Sequence, residues 1–457
     1  MRTRESMPSP FRMFITGGVG TGKSHVISVV KEHVERAHIG AGNTFVLMSP
    51  TGVAAFNIGG LTVHRALNLP VKHGHSTAYR KLGGETLKEL RQSWKYVNTI
   101  IIDEISMVSY LTMSFIHKRL TEIKGTDDTE VLFGGLNVIA VGDFYQLPPV
   151  RDKFVFEDGR GCNPGSTHLW RDEFKLVELT HHMRQRGDTQ YSEILNRVRI
   201  GSQTKSDISV LRSRLTSCIR DPINVSQPPF VDALRPMLLK EQVEEYNDIK
   251  STTLIPGVVA REEVPDSLIP SSDRDCAGLS RKVMLAIGAQ VMLRRNILCE
   301  EGLVNGARGI IVGFSWPNGA DDQSKKGDLP QKVYVKFHDP LVGLVSCDTI
   351  DDSLEQEAVQ IEPVTAKFYD KQGVTLQRTQ LPLLPCWAAT RHKVQGLSLN
   401  ADVIDLGPKM FEDGMAYVAL SRVRTLQGVA QLGLVEKKIT LSTVANDEMN
   451  RLRNHRL

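Results

Sequence analysis

Phe14-Ile15-Thr16-Gly17-Gly18-Val19-Gly20-Thr21-Gly22-Lys23-Ser24 is the stretch that decides the fold. Residues 17–24 fit the pattern GxxxxGK[ST], which carries structural meaning only directly after a strand and at the start of a helix. Both flanks are present. The apolar run Met13-Phe14-Ile15-Thr16 precedes it, and Val26, Val30 and Val34 follow at i, i+4 and i+8, the spacing of an amphipathic helix. In that setting Gly17, Gly18, Val19, Gly20, Thr21 and Gly22 let backbone N–H groups close around phosphate, and the helix N-terminus adds a positive dipole end. Lys23 is placed to reach β- and γ-phosphates and Ser24 to hold Mg²⁺.

Outward from this stretch, residues 11–175 alternate short apolar runs with helical or loop segments, which predicts a parallel sheet flanked by helices. The runs are MFIT, TFVLMS, TIIIDE and LNVIAVGD, and Leu111, Phe115 and Leu120 mark a further helix. The polar, Gly-rich stretch Val71–Gln92 reads as an insertion. Around Glu178 the alternation restarts with KLVEL, followed by helix-like LRSRL, ALRPMLL and KEQVEEYND, the outline of a second lobe. Residues 251–280 read as a surface connection rich in Pro, Ser, Thr and Asp. AQVMLRRN, ARGIIVGF, KVYVKFHD and AVQIEPVTAKFYD then predict a small antiparallel barrel over about residues 281–369, with helix and strand alternation returning after Pro385.

Composition narrows the classes. At 457 residues the chain has room for about three compact units. Its 41% hydrophobic and 24% charged residues are those of a folded rather than a disordered chain. A net charge of +4 makes no general case for a polyanion partner, so a nucleic-acid site has to be a local groove. Cys162, Cys218, Cys276, Cys299, Cys347 and Cys386 form no CxxC pair and read as reduced intracellular thiols rather than zinc ligands or a secreted framework. No apolar run reaches the roughly 18 residues of a membrane span, and no signal peptide is evident.

Further candidates lie at strand ends. Ile100-Ile101-Ile102 ends in Asp103 and Glu104, so these carboxylates emerge where ligands bind in such sheets. Asp103 is the second candidate Mg²⁺ ligand, and Glu104 the group to orient or deprotonate an attacking water. Val141-Gly142-Asp143-Phe144-Tyr145-Gln146-Leu147-Pro148-Pro149 offers Gln146 as a γ-phosphate sensor, or as a solvated turn residue fixed by its prolines. Arg184 in HHMRQ and Arg422 in ALSRVR are candidates to neutralise phosphate charge from the second lobe, although an isolated arginine is ordinarily a surface residue. The pairs His73/His75 and His181/His182 lack partners at metal-ligand spacing.

Taken in order, FITGGVGTGKS, SPTGVAAFNIGGLTVHR, IIIDEISM, VIAVGDFYQLPPV, LTHHMRQ, GAQVMLRRN…GLVNGARGIIVGF, ATRHKVQGLSL and YVALSRVR resemble the superfamily 1 DNA helicases of the petite integration frequency type, related to RecD. The resemblance spans nearly the whole chain. It implies an α/β protein of two RecA-like P-loop NTPase lobes with ATP between them and a small SH3-like β-barrel inserted in the second. The segments would be 1–177 for the first lobe with 71–92 as either a solvated loop or a strand-separating wedge, 178–280 and 373–457 for the second, and 281–372 for the barrel. It further implies ATP and Mg²⁺ as cofactors, Gly396 at the nucleotide, and contacts to single-stranded DNA from Thr51, Gly52, Thr62 and His64 in the first lobe and Thr390, His392 and Lys393 in the second. Each of these DNA candidates taken alone reads rather as a helix cap or turn former.

The activity implied is ATP-driven 5′-to-3′ movement along single-stranded DNA and unwinding of forked duplex by a monomer. It would serve repair, recombination or telomere maintenance, in the nucleus or mitochondrion of a eukaryote. Three features depart from the family pattern. Met1–Arg12 contains no adenine-reading glutamine, so base recognition is lost or the chain is a fragment; His182-Met183 stands where asparagine is usual; and Val394 replaces a common serine. Two other readings are a non-catalytic nucleic-acid-binding remnant of a mobile element and a P-loop ATPase that moves protein. The intact Lys23, Asp103, Glu104 and Arg422 oppose the first, and DNA-independent hydrolysis would mark the second.

Overall fold

The computed structural model describes residues 9–37, 44–70, 78–126, 128, 130–150, 152–158, 167–180, 188–217, 223–231, 233–237, 239–253, 258–260, 276, 279–280, 283–316, 329–349, 357–369, 374–394, 397, 399–410 and 412–455. By contact the chain divides into two units, 1–71 with 78–230 and 395–457, and 72–77 with 231–394.

The first unit opens with β1 (Arg12–Gly17), α1 (Lys23–Ala37), β2 (Phe45–Ser49), α2 (Gly52–Asn57), β3 (Leu61–Thr62) and α3 (Val63–Ala66). It continues through α4 (Gly84–Ser93), β4 (Thr99–Ile102), α5 (Tyr110–Lys124), β5 (Asn137–Gly142), β6 (Lys175–Leu179), α6 (Thr189–Arg199) and α7 (Lys205–Arg212). The strands form one six-stranded sheet in the order β3-β2-β4-β5-β1-β6, every pairing parallel. A parallel sheet buried on both faces needs near-continuous apolar strands, and all four residues of β4 are buried. The apolar runs named from the sequence are therefore β1, β2, β4 and β5. KLVEL, expected to start a second lobe, is instead the edge strand β6: Leu176–Leu179 pair with Phe14–Gly17, so the boundary drawn at 177/178 falls inside this sheet.

The second unit holds β7 (Arg235–Met237), α8 (Lys240–Thr252), β8 (Val258–Ala260), β9 (Val283–Leu285), β10 (Gln290–Leu293), β11 (Arg308–Ser315) and β12 (Lys332–Phe337). It continues with β13 (Cys347–Thr349), β14 (Glu357–Ile361), β15 (Val364–Tyr369), β16 (Thr375–Gln380), β17 (Leu383–Pro385), β18 (Ala388–Thr390) and α9 (Arg391–Val394). Where a small antiparallel barrel is expected from residue 281, the strands form a six-stranded antiparallel sheet, β13-β14-β12-β11-β10-β17, whose β17 lies beyond the expected segment 281–372. ALRPMLL, expected to be helical, is instead β7, paired in parallel with β18. Pro236 accounts for the difference: it cannot donate within a helix interior and biases Arg235 toward extended backbone.

The chain returns to the first unit with β19 (Asp402–Leu406), α10 (Met415–Ser421), β20 (Val429–Leu434) and α11 (Thr443–Asn454). β19 and β20 pair in parallel. Helix α11, capped by the Ser442 side chain, buries Ala445, Met449 and Leu452 in the core that lies under the six-stranded parallel sheet. Polar contacts fix its register. Trp170 Nε1 donates to Glu448 Oε1 at 2.9 Å, and Arg453 pairs with both oxygens of Glu178 at 3.0 and 2.7 Å. Helix α1 covers the opposite face, where Ile27 packs among Ile15, Leu47, Ile101, Ile139 and Val141.

Of the proposed insertion 71–92, residues 71–77 lie outside the described residues and 84–92 belong to α4. Arg119, 1% exposed, holds the chain on either side of that stretch by donating to Asn68 O at 3.4 Å and Arg80 O at 2.9 Å.

Candidate nucleotide site

β4, β5 and β1 are neighbours in the sheet, so the segments that leave their carboxyl ends converge. After β1 comes the 17–24 loop, after β4 Asp103 and Glu104, and after β5 Asp143 through Gln146. Gly20 and Gly22 have φ of 83° and 88°, values that a side chain disfavours. Thr21 Oγ1 donates to Gly18 O at 2.9 Å and so tightens the loop. Lys23 Nζ folds back to donate to Gly17 O at 2.8 Å and Gly18 O at 3.0 Å. Burial pulls its ammonium pKa down, opposed by the charges of Asp143, Glu104 and Asp103, a balance that favours a phosphate as the next partner. Ser24 is exposed at the first turn of α1.

Asp103 is nearly buried, and its backbone N–H donates to Met48 O at 2.8 Å, continuing the β2–β4 ladder. Burial, then the charge of Glu104, push its carboxyl up to about 7, while Lys23 acts the other way. Such a carboxyl becomes a stable anion once a cation is supplied. Glu104 adopts left-handed backbone angles, φ 51° and ψ 47°, unusual for a residue other than glycine. It heads the 3₁₀ turn Ile105–Met107, whose Ile105 and Ser106 are buried.

Gln146 is 5% exposed, and its Oε1 has no hydrogen-bond partner among the described residues. The same holds for Thr16 Oγ1 and Ser49 Oγ, at the carboxyl ends of β1 and β2. Buried polar atoms without partners are costly, and these three belong to segments at the carboxyl ends of β5, β1 and β2. The solvated-turn alternative for Gln146 is thereby corrected: the glutamine is inside. No set of three or more His, Cys, Asp or Glu that could hold a metal ion occurs among the described residues.

Arg422 is buried, with Nε donating to Val418 O at 3.1 Å and Nη2 to Ser421 Oγ at 3.1 Å, and its charge acts on Tyr417 of α10. Tyr417 in turn touches the loop: Val19 N–H donates to its Oη at 2.8 Å. Arg184 and Gly396 lie outside the described residues, as do His73, His75, His181 and His182. Thr51 and Thr62 are N-caps, accepting from Ala54 N and Arg65 N at 3.3 Å each. Gly52 opens α2 and is buried, and His64 lies in α3. In the second unit Thr390 ends β18 and Lys393 is exposed on α9, while the side chain of His392 lies outside the description.

Sequence reasoning passed over three residues here: Asp143, quoted in its motif without a role; Tyr417, quoted likewise; and Arg199. No local pattern marks Arg199, because its partner Asp143 is 56 positions away.

A parallel sheet that gathers a phosphate loop, an acid pair and a buried glutamine at its carboxyl edge defines a P-loop NTPase with the RecA-like helicase fold. Residues 5–208 match the PIF1-like helicase family and residues 275–314 the 2B domain of DNA helicase Pif1. Both matched segments are thus similar to PIF1-type helicases. It is 33% identical over 431 residues to the ATP-dependent DNA helicase PIF1 of Mus musculus, a match that covers 92% of this chain and 57% of the mouse protein. It thus spans a little over half the length of that relative. The crystal structure of Pif1 helicase from Candida albicans superposes with a TM-score of 0.69 at 26% identity, covering 97% of this chain and 96% of that one. A Pif1 structure that describes DNA unwinding at forked duplex by two coordinating helicases gives 0.68 at 25% identity, covering 97% and 94%.

Proposed function

We propose that this chain is an ATP-dependent 5′-to-3′ DNA helicase that moves on single-stranded DNA and opens forked duplex. The observation that carries the reading is the convergence of the 17–24 loop, Asp103–Glu104 and the buried Gln146, whose Oε1 has no partner among the described residues, at three adjacent strand ends. The relatives' names, and the forked DNA described for one solved structure, supply the substrate.

In this reading the backbone N–H groups of Gly20, Gly22 and Lys23 and the Lys23 ammonium bind the phosphates. Ser24 and Asp103 hold Mg²⁺, which when bound neutralises phosphate charge. Glu104 accepts the proton of the attacking water, Gln146 orients that water or a γ-phosphate oxygen, and Arg184 and Arg422 offset charge on the leaving phosphates. The six-stranded antiparallel sheet is read as an SH3-like barrel inserted in the second of two RecA-like lobes. Thr51, Gly52, Thr62, His64, Thr390, His392 and Lys393 are read as the groups that grip DNA phosphates, the threonine caps doing so through backbone and hydroxyl together. Repair, recombination or telomere maintenance by a monomer, in the nucleus or mitochondrion of a eukaryotic cell, is the corresponding cellular role.

The test is steady-state ATP hydrolysis by the purified chain with and without single-stranded DNA, beside Lys23→Ala and Glu104→Gln, followed by unwinding of a forked duplex. Hydrolysis stimulated by DNA, abolished in Lys23→Ala and lowered by roughly 10²–10⁴ in Glu104→Gln, is expected. Hydrolysis indifferent to DNA would move the reading to a translocase of another polymer. Absence of hydrolysis would leave a binding protein.

A further inference from the structure

At the apex of the phosphate loop the buried Val19 sits between Gly18 and Gly20, neither of which has a side chain to pack. Its amide is tied from 398 positions away by Tyr417 of α10. Tyr417 is 2% exposed, and because its Oη accepts the Val19 N–H, its single proton goes to Asp143 Oδ2 at 3.1 Å. Asp143 is fully buried and takes a paired donation from Arg199 of α6, Nε to Oδ2 at 2.9 Å and Nη2 to Oδ1 at 2.8 Å, with Tyr145 N–H adding a fourth donor at 3.2 Å. Burial alone would raise the Asp143 carboxyl, but the Arg199 guanidinium outweighs it and keeps Asp143 ionised. An ionised acceptor draws the Tyr417 proton and makes its oxygen a better acceptor for Val19.

The two helices that supply Tyr417 and Arg199 are themselves joined, since Tyr191 Oη of α6 donates to Leu420 O of α10 at 2.8 Å. At its other end, α10 starts at Gly414, where a Cβ would come within 2.7 Å of Tyr145 O. The helix therefore docks directly on the segment that follows β5. Arg422 belongs to the same short helical stretch, so α10 carries both the hydroxyl that ties the loop and a candidate phosphate-neutralising guanidinium.

We propose that Tyr417 is a positioning residue that presets the phosphate loop for nucleotide, with Asp143 and Arg199 holding its hydroxyl in place. The proposal rests on the reading of residues 17–24 as a nucleotide loop and assigns its control to α6 and α10. Displacement of α10 releases the loop apex and withdraws Arg422 together, which makes nucleotide grip and α10 position one variable.

Titration of the full chain with a fluorescent ADP analogue, for the native protein, Lys23→Ala and Tyr417→Phe, tests it. Tyr417→Phe removes one oxygen and is expected to weaken binding by roughly three- to tenfold, the worth of one net hydrogen bond, and to raise KM for ATP more than it lowers kcat. Hydrogen exchange separates positioning from general loosening: the peptide over residues 17–22 should exchange faster in Tyr417→Phe while peptides from β4 and α5 keep native rates. Unchanged affinity with unchanged exchange over 17–22 overturns the proposal, as does exchange that accelerates equally everywhere. No binding by the native chain overturns the nucleotide reading and the proposal with it, whereas native binding lost in Lys23→Ala but untouched in Tyr417→Phe overturns the positioning role alone. If Tyr417→Phe fails to fold, Arg199→Lys, which keeps the buried charge but not the paired donation, is expected to weaken binding in the same direction, and native affinity in that variant overturns the proposal.

Discussion

Replacing Arg199 by Met should destabilise the first unit strongly and make its stability depend on pH in a defined direction. Asp143 has no exposed surface and Arg199 is 8% exposed, and their atoms meet at 2.8–3.2 Å. Removing one partner of such a buried pair costs about 3–5 kcal/mol, because the other charge stays behind without compensation. Tyr417 O–H and Tyr145 N–H still donate to Asp143, which places the expected loss near the lower end, about 3 kcal/mol. In the native protein Arg199 holds the Asp143 carboxyl below its ordinary value, so the contribution is present above that value and lost as pH falls through the depressed one. In Arg199→Met burial is opposed only by the Lys23 charge and the Tyr145 and Tyr417 donations, and the carboxyl rises. The folded variant then binds a proton more tightly than the unfolded chain, so its deficit is fullest near neutral pH and shrinks as pH falls. Urea unfolding of both proteins at about pH 8 and about pH 5 should show a midpoint lowered by about 1 M at the higher pH, taking a slope of about 3 kcal/mol per molar, and by visibly less at the lower. The double variant Arg199→Met/Asp143→Asn, which removes both charges, should recover part of the loss. A loss under about 1 kcal/mol, or one equal at both pH values, would refute this account of the pair.

Asp207 is pushed down to about 2 by paired hydrogen bonds from Arg197, then by Thr204, so Asp207→Asn should cost about 1–2 kcal/mol at neutral pH, discounted for the half-exposed Arg197. That difference should fade as pH falls from 3.8 through about 2, and urea curves in acid check it. Met449→Ala empties a fully buried site where α11 meets the sheet and should cost about 2–5 kcal/mol by the same assay; native stability would mean the helix does not dock there. Lys393→Ala should weaken single-stranded DNA binding and shallow the slope of log K against log salt by roughly 0.7, and an unchanged slope would remove Lys393 from the DNA contacts.

Much of the first unit was legible because a parallel sheet writes itself plainly into the chain. Strands buried on both faces need continuous apolar runs, and MFIT, TFVLMS, TIIIDE and LNVIAVGD are four of its six strands. Two readings failed for local reasons. ALRPMLL has helical spacing, but its proline and the partner strand β18 make it extended. KLVEL is separated from β5 by Asp143–Phe174, and nothing within its five residues says which sheet edge it joins.

By itself the sequence determined the phosphate loop, the acid pair after β4 and the glutamine after β5, because each depends on residue type at fixed short spacing next to a strand. Only the tertiary structure decided that Asp143, Arg199 and Tyr417 form one buried unit bonded to Val19, that α11 closes the core under the first sheet, and that Gln146 is buried rather than solvated. The physical reason is range. Backbone conformation and phosphate-loop geometry are set by neighbours within a few residues, whereas a buried charge is satisfied by whichever donor the fold brings to it, here from 56 and 274 positions away.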